Sequence, residues 1–424
     1  MKTTDSKSNA SLSPSSSSEP IGWATLEEYI RLQVQDQVQA LLEAEVEEHL
    51  GRGRYERRGD QPAGYRNGMG RPRKLSLATG TIEVQRPRLR ELEEKFTSSV
   101  LPLFKRQSEK VRHLLPTLYL EGLALRDFDR ALRALLGDGA ALSPSTISRL
   151  TEQWQAEFDA WRKRPIEDEV VYVWADGIYV KAGLEKDKSA VLVVIGLTRA
   201  GEKQVLAIEE GYRESTESWK SLLWSLMKRG MNVPRLVVAD GGLGLWAALR
   251  ELGWECKEQR CWNHKLCNVR DALPLREQKR AMKELRRIPQ AKTRAEAERL
   301  RDDFLEAFKD YPKACQRLSD DWERMVSFYA FPREHWRSLR TTNPVESPFQ
   351  LVRLRTGAAR RFKRTDHAVA ILWKLLMIAE GTFKTYDSVH LLTDVAAGTE
   401  FADGLPLKAP QSHVARLHFH TDRF

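Results

Sequence analysis

The sequence predicts an α/β protein: a mixed sheet interrupted by an all-helical insertion and preceded by mainly helical segments. Three observations carry that expectation. After Ile166, short apolar runs recur at Val170–Trp174, Ala190–Ile195, Lys203–Ile208 and Leu236–Ala239, each the length of a buried strand. Helix-period segments, Thr216–Arg229 and Leu243–Leu252, fall after the third and fourth runs. Three strands in a row followed by helix, strand and helix imply a sheet of mixed direction. Finally, Arg270 to about Ser338 shows only helical periodicity and high charge.

The elements follow in order. Met1 to Pro20 is Ser-rich and polar and predicts disorder. From Thr25, Leu26, Ile30, Val34, Val38, Leu41, Leu42, Val46 and Leu50 recur at three- and four-residue spacing, a helix that packs on a domain or on a second copy. Glycines then break regular structure from Gly51 to Gly70. Leu75 and Leu77, with Ile82 and Val84, alternate around Thr79-Gly80 and predict a hairpin. Arg106 to Arg164 is helical again. Within it Ser143 suits an N-cap and Pro144 the first helical position. Ser145, Thr146, Ser148 and Arg149 would then face outward, as in a helix-turn-helix recognition helix or simply on a capped bundle helix.

These changes of pattern divide the chain into a tail (1–22), an N-terminal helix with a basic hairpin region (23–105) and a helical DNA-binding-like segment (106–165). A sheet-based core (166–269 and 339–395), the helical insertion (270–338) and a loose C-terminal tail (396–424) complete it.

Composition narrows the function. The chain has 424 residues, 41% hydrophobic, enough for more than one core. It offers no apolar run of membrane-spanning length, no secretory leader pattern and only four Cys, so a cytoplasmic protein without a disulfide framework is expected. Net charge is +10, and it is concentrated. Between Gly51 and Arg90 eleven Arg or Lys face three acids; Arg52, Arg54, Arg57, Arg58, Arg66, Arg71, Arg73 and Lys74 are its first members. Clustered Arg neutralises phosphates and predicts nucleic-acid binding, with an anionic lipid patch or a solvated surface as the alternatives.

Two aspartates carry candidate chemistry. Asp176 follows the first run in Trp174-Ala175-Asp176-Gly177, and Asp240 the fourth in Val238-Ala239-Asp240-Gly241-Gly242. Each is expected to close a strand, with Gly letting other groups approach. Either alone reads as a turn; two in one sheet suit a hard divalent cation. Glu346, in Thr342-Asn343-Pro344-Val345-Glu346, fits a capping box with Asn343 as N-cap. The stretch beyond it, with Arg353, Arg355, Arg360, Arg361, Lys363 and Arg364 and no acid through Arg364, suits phosphate better than capping alone. Three carboxylates could hold two Mg²⁺ or Mn²⁺ ions for phosphodiester chemistry. A paired-carboxylate glycosidase would need similar acids but not these Arg-rich flanks.

Together the blocks resemble the Mutator-type transposases of bacterial insertion sequences. The likeness runs from about Glu27 to Val395. It rests on Tyr55-Glu56-Arg57 with Gly64-Tyr65-Arg66-Asn67-Gly68, on Ser143–Arg149, on Ala175–Lys181 and on Ala239-Asp240-Gly241. Gln259-Arg260-Cys261-Trp262-Asn263-His264-Lys265, Phe328–Pro332, Leu339–Ser347 and Val352–Thr356 complete it. The resemblance implies a ribonuclease-H-like core and Asp176, Asp240 and Glu346 as a DDE triad. It implies binding of double-stranded DNA at terminal inverted repeats, cleavage and strand transfer into target DNA, and a homodimer that joins two ends. It also marks Cys261 and His264 as a Cys-x-x-His motif, with Trp262 stacking near a DNA end or packed in a core, and Arg353 and Arg355 beside the end. Cys256, Cys261, His264 and Cys267 raise a zinc reading that their spacing does not favour.

Overall fold

The structure is a computed structural model that describes residues 23–56, 64–92, 96–102, 106–121, 123, 127–137, 144–180, 189–211, 214–350, 352–354 and 365–407. The readings made for the Ser-rich tail and for Arg57, Arg58, Ser143, Lys181, Arg355, Arg360, Arg361, Lys363 and Arg364 lie outside the described residues. So do the side chains of Ser145, Thr146 and Ser148. The chain divides into two compact units, Met1–Tyr119 with Ala124–Pro144, and Leu120–Leu123 with Ser145–Phe424. No helix among the described residues is long and apolar enough to cross a membrane.

In the first unit the expected long helix is α1, Trp23–Leu50. The chain goes on to β1 (Tyr65–Met69), β2 (Arg73–Leu77), β3 (Gly80–Val84) and β4 (Pro87–Arg90). β2 and β3 form the predicted hairpin, with Leu75 opposite Ile82. Alternation sends Leu75, Ile82 and Val84 to one face, where they bury against Leu42, Val34 and Val38 of α1. Gln35 and Gln39 of α1 reach the outer edge of the hairpin. Gln35 accepts from the Glu83 amide at 3.0 Å, and Gln39 both accepts from and donates to the Gln85 backbone at 3.0 Å. The pairing of β1 with β4 carries no alternating apolar signal and was not predicted; its register shifts between Arg66 and Met69. The helices α2 (Glu109–Leu120) and α3 (Phe128–Leu136) follow.

The second unit opens with α4, Pro144–Trp161, on which Arg149 is exposed. Its sheet has five strands: β5 (Val170–Val180), β6 (Ser189–Thr198), β7 (Lys203–Gly211), β8 (Leu236–Ala239) and β9 (Lys257–Arg260). They lie in the order β7-β6-β5-β8-β9, antiparallel from β5 to β7 and parallel from β5 to β9. α5 (Thr216–Lys228) and α6 (Leu243–Glu251) make the parallel crossovers. They bury Trp219, Leu222, Trp246 and Leu249 against Val173 and Val237 of the sheet. The capping of α5 is local: Ser215 Oγ accepts from the Ser218 amide at 3.3 Å.

Beyond β9 come α7 (Trp262–Arg270), α8 (Leu275–Leu285), α9 (Arg294–Ala307), α10 (Pro312–Ser319), α11 (Trp322–Met325), α12 (Trp336–Leu339) and α13 (Asn343–Glu346). Among the described residues, 270–338 holds helices and no strand, as its periodicity predicts. α14 (Thr365–Glu380) packs its apolar face toward β7, with the Glu380 carboxylate accepting from the Val205 amide. After α15 (His390–Ala396) the expected loose tail is, over Phe401–Pro406, a short hairpin. Phe401 is buried, Gly404 donates to the Tyr329 carbonyl at 3.2 Å, and Asp403 accepts from the Arg294 amide at 2.7 Å. Arg333 donates to the Asp403 carbonyl at 3.3 Å, so one buried aromatic and three bonds tie this segment to the helical region.

Candidate active site

Asp176 does not close its strand as expected. β5 continues to Val180 because its antiparallel neighbour β6 pairs with it throughout, Asp176 opposite Val193. Its parallel neighbour β8 is matched to β5 only as far as Trp174 with Val238 and ends at Ala239. Asp176 and Asp240 each stand two residues past that rung, where one flank of β5 is vacated. Each aspartate is held by a following amide: Gly177 N–H donates to Asp176 Oδ1 and Gly242 N–H to Asp240 Oδ1, both at 2.8 Å. Gly241 has φ +105°, and a methyl group there would lie 2.7 Å from Cζ of Arg260, so glycine is required on both counts.

The segment Gln259–Lys265 ties the Glu346 segment to the end of β9. Gln259 is fully buried; its Oε1 accepts from the Phe328 amide at 2.9 Å and its Nε2 donates to the Met325 carbonyl at 3.1 Å. Arg260 donates to Asp321 at 2.7 Å and to the Asp240 carbonyl at 3.2 Å. The Trp262 amide bonds the Arg340 carbonyl at 2.9 Å, and Asn263 donates to the Asn343 side chain at 3.0 Å. Thr342 meets Cys261, and Lys265 donates to the Asp320 carbonyl. Glu346 then stands with its Oε1 3.8 Å from His264 Nδ1. The N-cap of its helix is Thr342 rather than Asn343; the Thr342 carbonyl accepts from the Glu346 amide at 2.9 Å and its hydroxyl bonds the Glu346 carboxylate. α13 gives way to a turn at Ser347 and Pro348, where proline lacks the amide that a continuing helix would use.

The electrostatics tie these groups together. Asp176 is pushed up to about 7 by burial and by the nearby Asp240 charge, against the Gly177 amide and His264, with Glu346 adding to the rise. His264 is raised to about 9, first by its interaction with Cys261 and then by Asp240 and Glu346, with burial opposing. A further acid, absent from the sequence reading, joins them. Glu214 is raised by burial and by Asp240, while the Tyr179 hydroxyl bonded to it and His264 pull the other way. Nothing around Glu214 in sequence marks it, since it directly precedes an ordinary Ser215 N-cap.

The remaining expected residues divide. Trp262 is 1% exposed, donates from Nε1 to the Met325 carbonyl at 2.8 Å and packs edge-on against Trp322. This corrects the stacking expectation: the ring is a core side chain with no face open to a base. Among the described residues Cys261, His264 and Glu346 bring their ligand atoms within 4.8 Å of one another, and Cys256 and Cys267 are not in that group. Arg353 is exposed.

In the first unit, Arg52 donates to the Gly64 carbonyl at 2.8 Å, Arg66 pairs with Glu47 at 3.3 Å and Arg54 with Glu43 at 3.7 Å. Each of these three has a partner within the first unit. Arg71 and Arg73 instead line a groove of about 800 Å³ with Arg86, Arg88, Arg90 and Arg106. Burial, then Arg86 and Arg106, lower Arg73, as expected where positive charge is crowded. Lys74 is exposed on β2, outside the groove lining.

Comparison with known proteins gives a family match over residues 8–385 to the model described as "Transposase, Mutator family". The chain is 42% identical, over 299 residues, to the transposase for insertion sequence element IS6120 of Mycolicibacterium smegmatis, covering 70% of this chain and 93% of that protein. It is 36% identical to the transposase for IST2 of Acidithiobacillus ferrooxidans, over 65% of this chain and 95% of the relative. It is 28% identical to the transposase for IS256 in transposon Tn4001 of Staphylococcus aureus, over 80% and 86%.

Proposed function

The chain belongs to the Mutator family of transposases, and on that premise we propose that Asp176, Asp240 and Glu346 are a DDE triad that holds two Mg²⁺ or Mn²⁺ ions and cuts and joins DNA. The core is read as ribonuclease-H-like, supported by the mixed five-stranded sheet that carries one aspartate on its first strand and another just past its fourth.

The observation that carries the proposal is the placement of Asp176 and Asp240 side by side, each two residues past the last rung shared by β5 and β8, where burial and then the Asp240 charge push Asp176 up to about 7 and Glu346 adds to the rise. The donors fit hard cations: carboxylate oxygens from three segments. When bound, such ions activate the attacking oxygen and stabilise the leaving one. The chain's own part is to hold the acids. The Gly177 and Gly242 amides fix the two aspartates, and Arg260 fixes the Asp240 backbone. Thr342 fixes the Glu346 carboxylate, and His264 supplies a proton-bearing neighbour whose positive charge offsets theirs.

The Arg-lined groove of the first unit would take the phosphate backbone of the terminal inverted repeats. A homodimer would bring two ends together.

The test is cleavage of DNA bearing the element's terminal repeats, in Mg²⁺ or Mn²⁺. Wild-type protein should nick and then join, whereas Asp176→Asn, Asp240→Asn and Glu346→Gln should bind without nicking. Normal nicking by any of the three refutes the triad. Binding without nicking by the wild type would mark an inactive relic, and cutting without repeats or joining a nuclease.

A further inference from the structure

We propose that Glu214 is a fourth carboxylate ligand of the cation site, set on the Asp240 side. The inference rests on the cation-site reading above.

Two glycines carry it, and a third seats the backbone beside Glu214. A methyl group on Gly177 would lie 2.8 Å from Cδ of Glu214 and closer still to Oε1. One on Gly242 would lie 3.2 Å from Glu214 Oε2 and 3.5 Å from Asp240 Oδ1, so both oxygens face one point. One on Gly244 would lie 2.9 Å from the Ser215 carbonyl carbon and the Thr216 nitrogen, and nearer the Glu214 backbone carbonyl oxygen, so this glycine seats the chain beside Glu214 rather than its carboxylate. None of the three has the positive φ that would itself demand glycine. Space is what they provide, and Glu214 and the chain beside it fill that space.

The glycines follow the two aspartates, at Asp176-Gly177 and Asp240-Gly241-Gly242, so the motifs that position those acids also admit this one. Tyr179 bonds the Glu214 carboxyl, and among the described residues no Lys or Arg pairs with it. A structural acceptor for Tyr179 would not need a charge: glutamine would serve. A carboxylate clamped beside Asp240 by two glycines suits a cation, which needs charged oxygens from several directions.

The experiment is Mn²⁺ titration of the full-length, metal-free protein, read by electron paramagnetic resonance, with a melting curve of each variant. Glu214→Gln should weaken Mn²⁺ binding about tenfold or more without lowering the metal-free melting temperature. Gly242→Ala, which fills the point both oxygens face, should weaken it similarly. Tyr179→Phe, which removes an orienting bond and keeps the charge, should weaken it less than Glu214→Gln does. Wild-type Mn²⁺ affinity in Glu214→Gln overturns the proposal. Asp240→Asn in the same titration separates the two readings. If it loses Mn²⁺ while Glu214→Gln does not, only the fourth ligand falls; if it too binds normally, the triad falls with it.

Discussion

The sulfur of Cys261 accepts both the backbone N–H of Thr342, at 3.3 Å, and the Thr342 hydroxyl, at 3.2 Å, across 81 residues of sequence. The same hydroxyl reaches the Glu346 carboxylate, so its one proton serves the thiol or the acid but not both. Cys261 therefore acts on Glu346 through Thr342. Thr342→Val removes the hydroxyl from both and should lower Mn²⁺ affinity about tenfold, the usual cost of losing a group that orients a ligand. Titration against the wild type checks it, and unchanged affinity would show that Glu346 is held by its helix alone.

Metal-free protein should lose stability as pH rises from 6.5 to 8.5. Asp176 at about 7 lies above its ordinary 3.8, so the folded state keeps a proton that the unfolded chain has already lost. His264 at about 9 lies above its ordinary 6.5, so its stabilising contribution is whole below 6.5 and fades as pH passes 9. Both slopes have the same sign. Melting in chelator at pH 6.5, 7.5 and 8.5 should show a falling midpoint, with Mg²⁺ restoring it most at the highest pH. His264→Gln should remove most of the slope between pH 6.5 and 8.5, whereas Asp176→Asn should reduce it mainly below 7, and a midpoint that rises with pH would contradict this electrostatic picture.

Gln259→Leu should loosen the insertion where it meets β9. The Phe328 amide loses its only acceptor in this pairing, while the Met325 carbonyl keeps its bond from Trp262. An unsatisfied buried amide costs about 2 kcal/mol, which corresponds to roughly thirtyfold faster hydrogen exchange if local opening exposes it. Exchange at the Phe328 amide reads this directly. A wild-type rate would show that other contacts hold the junction.

Arg71→Ala and Arg106→Ala should each weaken DNA binding and reduce its salt dependence by about one counterion. Arg66→Ala should do much less, because that guanidinium is turned to Glu47. Binding measured from 50 to 200 mM salt distinguishes them. An unchanged slope for the groove arginines would move the DNA to another face.

Much of this was legible in the sequence because the central strands are apolar, whereas β9, Lys-Glu-Gln-Arg, carries no such signal. Val170–Trp174 and Leu236–Ala239 announce themselves, and the acids follow each. What was not legible depends on pairing rather than on composition. Asp176 lies inside its strand because β6 goes on where β8 stops, which no property of either run reveals. Trp262 could be read as a stacking platform or a core ring until its indole was found bonded to Met325. Glu214 left its sign only in the glycines of other segments, at 177, 242 and 244. Arg66 and Arg71 look alike in a basic stretch, and only the position of Glu47 on α1 tells a structural cation from one facing the groove.

The two glutamines of α1 along the hairpin have a consequence for self-association. A free strand margin is a template on which a second chain can extend a sheet. Here carboxamides of Gln35 and Gln39 occupy the main-chain donors and acceptor at Glu83 and Gln85, standing in for a neighbouring strand. Copies of this protein crowded onto the same DNA would find that margin already taken, and would have to meet through side-chain surfaces instead of merging their sheets there.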